Sequence, residues 1–462
     1  MFQSLIFDEK LIRRYDKAGP RYTSYPTAPQ FQSSFTAADY REAALATNAK
    51  TPPAPLSLYF HIPFCNTLCF YCGCNKVVTK NRARAAPYLQ KLHKEVALQA
   101  ALFDRKRVID QLHWGGGTPT FISHDEMRAL MAQTREHFRL RDDDSGEYSI
   151  EVDPREADDA TMAVLRELGF NRLSLGIQDF DARVQQAVNR IQSEVETVHV
   201  MDEARRLGFR SISVDLIYGL PFQSLESFSS TIDKVIAANP DRLSVFNYAH
   251  LPELFMPQRR INEEDLPSAA EKLEILKMCS ERLSLAGYVY IGMDHFAKPD
   301  DELAVAQRNG TLYRNFQGYS THADCDLVAM GITAIGKVGD TYSQNVKTLE
   351  EYYAALDADL LPILRGIKLS DDDLLRREVI TQLICHFQLD MTEIERRFNV
   401  DFQSYFAQEL SELYDIAADG LIKIHENVIS VLPVGRLLIR NVCMVFDRYL
   451  RESREQRYSK VI

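Results

Sequence analysis

Ten residues, Cys65-Asn66-Thr67-Leu68-Cys69-Phe70-Tyr71-Cys72-Gly73-Cys74, hold four of the eight cysteines of the chain. A cysteine costs little to scatter singly through a core, so four packed this tightly ask for one centre that binds several thiolates. The spacing is C-x3-C-x2-C-x-C. Its first three thiolates, on one short loop, reach three corners of a cubane iron–sulfur cluster and leave the fourth iron open. A structural zinc ion held by four thiolates is the competing reading, since zinc ligands also recur at two to four residues. The single residue between Cys72 and Cys74 makes it awkward for both to reach one tetrahedral ion.

Outward from this loop the chain alternates strand and helix. Leu56-Ser-Leu-Tyr-Phe-His-Ile-Pro63 is a short apolar run ending at a proline, and the cysteine loop follows its C-terminal end. Helix signals run from Pro87 to Leu102. Val108 to Trp114 then reads as a strand that enters Gly115-Gly116-Gly117-Thr118-Pro119, with a helix from Ser123, whose partner Glu126 lies three residues on as in a capping box. Further strands are expected at Glu147–Asp153, Arg172–Gln178, Ser211–Tyr218, Arg242–Ala249 and Tyr288–His295. Two echoing segments, Leu165-Arg-Glu-Leu-Gly169-Phe170 and Ala204-Arg-Arg-Leu-Gly208-Phe209, each close a helix on glycine before a strand. At least six βα units with near-continuous apolar strands predict an α/β fold with a parallel sheet covered by helices. Because the unusual residues cluster at the C-terminal ends of strands, the expected geometry is a partial (β/α)6-type barrel with its site at that rim.

The organisation expected is an N-terminal arm over residues 1–55 that covers the active site, the βα-barrel over 56–300, a connecting region over 301–370 where the strand rhythm fades, and a mainly helical domain over 371–462. In the arm, Gly19 to Thr27 carries too many turn residues for regular structure. The last domain ends with a hairpin-like Leu421–Leu432 after several helices, a winged-helix pattern that in other proteins binds DNA. Its sixteen Asp or Glu against twelve Lys or Arg give the wrong sign for phosphate recognition. A lid or packing domain is preferred.

Composition narrows the class. The 462 residues carry a net charge of -11, which counts against nucleic acid as a partner. No apolar run of eighteen residues exists, and Met1 to Tyr25 holds Asp8, Glu9 and Asp16 where a signal peptide needs an apolar stretch. A cytoplasmic protein with no membrane partner is expected. In that reducing compartment the clustered thiols read as metal ligands, while Cys279, Cys325, Cys385 and Cys443 read as buried apolar residues.

The cysteine loop after the first strand, Gly116-Gly117-Thr118-Pro119 after the second and Glu151-Val152-Asp153-Pro154 after the third occur in the order seen in radical S-adenosylmethionine (SAM) enzymes. The resemblance narrows further. Gly19-Pro-Arg-Tyr-Thr-Ser-Tyr-Pro-Thr27, His61-Ile-Pro-Phe-Cys65, the extra Cys74, Val245-Phe-Asn-Tyr-Ala-His250, Ile291-Gly-Met-Asp-His-Phe296 and Asp300-Asp-Glu-Leu-Ala-Val-Ala-Gln307 resemble the oxygen-independent coproporphyrinogen III oxidases, also called coproporphyrinogen dehydrogenases, over nearly the whole chain. The related haem chaperones, which bind and transfer haem, are the alternative. Cys74 and the Gly19–Thr27 segment favour the oxidases.

The resemblance implies a [4Fe-4S] cluster on Cys65, Cys69 and Cys72, with SAM on the fourth iron and a second SAM beside the first. By motif position the first SAM contacts Tyr59, Gly116, Glu151 and Ile335, and the second Tyr71, Gly117, Thr118, Gln178, Arg190, Asp215 and Ala249. Cys74 is then not a ligand, and it and His61 are left for accessory roles, with packing the simpler reading of His61. The implied chemistry is one-electron cleavage of SAM, removal of a hydrogen from a propionate β-carbon, and loss of carbon dioxide and an electron to leave a vinyl group. Done twice, this converts coproporphyrinogen III to protoporphyrinogen IX in haem biosynthesis. Arg21, Lys298 and Arg308 are candidates to meet the substrate carboxylates. A reduced protein such as flavodoxin or ferredoxin is the implied electron donor, and a monomer is expected.

Overall fold

The structure, a computed structural model, describes residues 5–452; residues 1–4 of the arm and 453–462 of the C-terminal region lie outside the described residues. The chain divides into two compact units, one of residues 31–267 and 324–368, the other formed by the remaining segments.

The first unit is built on six parallel strands: β1 (Leu56–Ile62), β2 (Val108–Gly116), β3 (Glu147–Val152), β4 (Arg172–Gln178), β5 (Ser211–Tyr218) and β6 (Arg242–Asn247). Each pairs in parallel with the next. Their apolar residues are buried because helices such as Ala85–Ala100 and Leu225–Ala238 cover the sheet, and Leu58, Phe60 and Ile62 of β1 are wholly enclosed. The Phe60 ring meets Trp114 of β2 edge-on, and Trp114 meets Phe170 in the same way at 4.9 Å. Contacts of this kind add about 0.5–1.5 kcal/mol each to area burial. The helix His124–His137 starts at the expected Ser123–Glu126 capping box.

The rhythm expected to fade beyond residue 300 continues in another form. Strand β7 (Asp326–Met330) pairs in parallel with the free edge of β1, and β8 (Ile335–Val338), β9 (Thr341–Asn345) and β10 (Ile363–Lys368) extend the sheet antiparallel. The strand order runs from β6 to β10 without closing, so the barrel is partial. Strand β9 reads Thr-Tyr-Ser-Gln-Asn and is buried along its length. Its polar side chains are held by hydrogen bonds: Asn345 donates to Glu95 and to the Gly331 carbonyl, and Gln344 accepts from Arg365.

The second unit holds residues 5–30, 268–323 and 369–452 of the described chain. The expected strand at 288–295 is instead a hairpin, Val289–Gly292 against His295–Ala297. The chain reverses because Met293 and Asp294 both adopt positive φ, 48° and 79°, as the two central residues of a primed turn require. Helices Asp371–His386, Met391–Phe398, Phe402–Tyr405 and Ala407–Ala418 precede the hairpin Ile422–His425/Val428–Val431, to which Gln388–Asp390 adds a third strand. The Gly19–Thr27 segment lacks regular structure but is tied down. Tyr22 donates to Asp447, Arg440 donates to the Gly19 and Pro20 carbonyls, and Tyr25 Oη accepts from the Arg448 amide.

Candidate active site

The cysteine loop leaves the C-terminal end of β1 and is held by backbone bonds at its root. The Gly117 amide donates to Ile62 O at 2.9 Å and the Thr118 amide to Phe64 O at 2.8 Å, so the segment after β2 is laced to the start of the loop. Gly117 is required by close approach: a Cβ there would lie 2.7 Å from the Pro63 carbonyl. The far side of the loop is held by Phe70 N–H to Val188 O, Asn189 to Leu68 O, and Gln258, whose amide donates to both Tyr71 O and Ala249 O. Cys69 is buried, Cys65 and Cys72 are half-buried and Cys74 is exposed.

A cavity of about 270 Å³ opens over the loop. It brings together Cys65, Cys69, Cys72 and Cys74 with Tyr71, Gly116, Gly117, Thr118, Glu151, Gln178, Arg190 and Asp215. Tyr59, Ala249, Ile335 and His61 do not line it. Tyr59 stacks on His113 at 5.8 Å and reaches His61 Nδ1 at 3.2 Å, while Ile335 begins β8. His61 is buried with Nε2 on the Asn75 carbonyl, and burial depresses its pKa, so the ring stays neutral.

Charges at the strand ends are arranged by burial and partners. Glu151, at the end of β3, accepts from the Gly116 amide at 3.1 Å and lies 3.5 Å from His113 Nε2. Burial acts to raise its pKa, yet the His113 bond and charge and the Gly116 amide outweigh it, leaving the carboxyl below its ordinary value. Asp215 in the middle of β5 accepts from Ser174 at 3.3 Å, and burial pushes it up to about 6. Arg190 is not a surface ion-pair partner but a buried one. It donates to Gly176 O at 2.6 Å and pairs with Asp153 at 3.2 Å.

Two residues escaped sequence reasoning. Asp153 is clamped by Arg155 at 2.6 Å as well as by Arg190, and both guanidinium groups reach Cys69 Sγ, at 3.9 and 3.8 Å. Both follow a buried strand directly, in Glu151-Val-Asp-Pro-Arg155, where a charged pair reads as solvated surface until the fold encloses it. The remaining candidates lie in the other unit: Arg21 pairs with Asp294 at 3.2 Å, Arg308 is exposed and donates to Pro299 O, and Lys298 is half-buried.

The cavity fits an iron–sulfur cluster with SAM. Three thiols converge from one loop, Thr118 donates to Cys65 Sγ at 3.6 Å, and Gln178 Oε1 and Arg190 Nε are buried without a hydrogen-bond partner, as groups awaiting a polar ligand would be. Residues 59–235 match the Radical SAM superfamily and residues 369–438 the HemN C-terminal domain. The chain is 56% identical over 462 residues to the oxygen-independent coproporphyrinogen III oxidase of Pseudomonas aeruginosa, covering all of both chains. It is 50% identical over 461 residues to that of Escherichia coli, covering 100% of this chain and 99% of the relative. The solved structure of coproporphyrinogen III oxidase (HemN) from Escherichia coli, a radical SAM enzyme, matches with a TM-score of 0.92 at 49% identity, over 97% of this chain and 100% of that one. With its cysteine loop, glycine segment and strand-end carboxylate in one cavity and these relatives along its full length, the chain belongs to the oxygen-independent coproporphyrinogen III oxidase family of radical SAM enzymes.

Proposed function

We propose that this cavity is where coproporphyrinogen III loses two propionate carboxyl groups to give protoporphyrinogen IX, with Cys65, Cys69 and Cys72 holding the [4Fe-4S] cluster and Cys74 standing outside the ligand set. The convergence of the cysteine loop with Glu151 and Asp215 in one cavity carries this reading. When bound, the cluster and SAM supply the one-electron chemistry that starts hydrogen removal from a propionate.

The chain's own residues place and shield. Glu151, ionised and bonded to the Gly116 amide, offers a fixed acceptor for the SAM ammonium, with Tyr59, Gly116 and Ile335 completing the first SAM site. A second SAM is held by Tyr71, Gly117, Thr118, Gln178, Arg190, Asp215 and Ala249. Gln178 supplies an unpartnered acceptor and Tyr71 a face for stacking. His61, with both ring nitrogens bonded, positions Tyr59 rather than carrying protons. Gln258 couples Ala249 to the loop through the Tyr71 carbonyl.

The electron comes from a small reduced protein such as flavodoxin or ferredoxin, and the chain works as a cytoplasmic monomer without a nucleic-acid or membrane partner. In support, no helix among the described residues is long and apolar enough to cross a membrane, and the net charge is -11. Anaerobic incubation with reductant, SAM and coproporphyrinogen III tests the function: protoporphyrinogen IX must form. SAM cleavage without that product would sink the reading. Equilibrium binding tests the second SAM, with two molecules per chain expected; one would remove the second site.

A further inference from the structure

The second unit contains a cluster of cations that no step above uses. Arg314 is 9% exposed, and its Nε and Nη1 are enclosed without a hydrogen-bond partner. It lies over the Tyr319 ring, 4.7 Å from the centroid, on the facing strand of the hairpin Tyr313–Asn315/Gly318–Ser320. Tyr319 in turn meets the His295 ring edge-on at 5.2 Å. His295 follows Asp294, which pairs with Arg21, and the carbonyls just before Arg21 accept from Arg440. Three guanidinium groups are thus strung along one contact path, with the Asp294 carboxylate among them.

Arg21, Arg440 and Arg314 all act on Asp294, and burial with Arg314 and Arg21 holds His295 far below its ordinary pKa, at about 3. Burial and the neighbouring Arg21 push Arg440 down to about 10. A guanidinium enclosed with idle N–H donors is costly unless an anion completes it, and its planar fork matches a carboxylate better than a spherical ion.

We infer that Arg314, with Arg21 and Arg440, forms a recessed binding subsite for a carboxylate group of the ligand. Resting on the function proposed above, that group is a propionate of the tetracarboxylate substrate. Arg21 and Asp294, which are partly exposed, form its entrance, and Asp294 holds the place of the incoming carboxylate while the subsite is empty. Arg308, exposed and donating to a backbone carbonyl, is not part of it.

The probe is coproporphyrin III, the aromatic form of the substrate with the same four propionates, titrated by fluorescence into the cluster-loaded protein. Its tetramethyl ester, which has no carboxylate, is the control. Arg314→Gln is expected to weaken coproporphyrin III binding tenfold or more, with iron content and SAM affinity unchanged and ester binding unaffected. Arg314→Lys should recover part of the loss. Asp294→Asn, which removes the competing carboxylate, should tighten binding severalfold. Equal binding by wild type and Arg314→Gln overturns the subsite. Should Arg314→Gln fail to fold, Asp294→Asn decides, since tighter binding supports the subsite and unchanged or weaker binding overturns it. A wild type that makes protoporphyrinogen while the variants bind alike refutes the subsite and leaves the function. A wild type that makes none but needs Arg314 for coproporphyrin III does the reverse.

Discussion

Gly117→Ala is the substitution whose cost can be worked most directly from the geometry. A Cβ at this position would lie 2.7 Å from the Pro63 carbonyl carbon and oxygen and from Phe64 O, where ordinary contact begins at 3.4 Å, so backbone must give by about 0.7 Å. These are not flexible side-chain tips. They are the chain that enters the cysteine loop, whose Ile62 and Phe64 carbonyls accept hydrogen bonds from the Gly117 and Thr118 amides. Overpacking of this kind costs about 1–3 kcal/mol. The displacement also lengthens the 3.6 Å Thr118–Cys65 contact beyond hydrogen-bonding range. Thermal melting should fall by a few degrees and SAM affinity of the cluster-loaded protein by tenfold or more. Gly208→Ala is the contrast: its φ is +80° with open space around the new atom, so it costs about 1–2 kcal/mol of left-handed strain and leaves SAM binding alone. A Gly117→Ala protein that melts and binds SAM like wild type would refute the packing argument.

Glu95 is buried against Tyr352, the Gly331 amide and Asn345, and burial raises its pKa from the ordinary 4.5 to about 7. The folded chain therefore holds this proton where the unfolded chain has released it, so stability falls as pH rises from about 4.5 to about 7, by on the order of 3 kcal/mol. Glu95→Gln should remove that slope from denaturant midpoints measured at pH 5 and 7.5; an unchanged slope would place the titration elsewhere. Arg155 and Arg190 both donate toward Cys69 Sγ, which would stabilise the more negative, reduced state of a cluster held there. Arg155→Gln should lower the cluster potential by on the order of tens of millivolts in an EPR-monitored titration while iron content is kept, and an unchanged potential would reduce Arg155 to a partner of Asp153.

How much was legible follows from what each residue signals. The six strands of the parallel sheet were readable because the face under the helices demands apolar residues: Arg172–Gln178 and Ser211–Tyr218 alternate buried apolar residues with half-buried small or polar ones and fall where that pattern places them. Strand β9 was not, since Thr-Tyr-Ser-Gln-Asn is buried through hydrogen bonds and carries no apolar period. The turn at Met293–Asp294 lacks the Asn-Gly or Asp-Gly pair that marks such hairpins, so one strand was expected where two exist. In the site, cysteine spacing and the glycine run announced themselves. Arg155 and Arg314 did not, because a charged residue reads as solvated surface until the fold shows it enclosed beside a sulfur or an aromatic ring.

In the proposed site, three of the four loop thiolates hold the cluster and leave its open corner to SAM. Iron and sulfide analysis of anaerobically loaded Cys74→Ser and Cys69→Ser, with SAM cleavage measured on the same samples, tests it most directly. Cys74→Ser should retain about four iron and four sulfide per chain, as one cubane cluster requires, whereas Cys69→Ser should lose both the cluster and SAM cleavage. Loss of cluster iron from Cys74→Ser, or a full cluster in Cys69→Ser, would contradict the assignment.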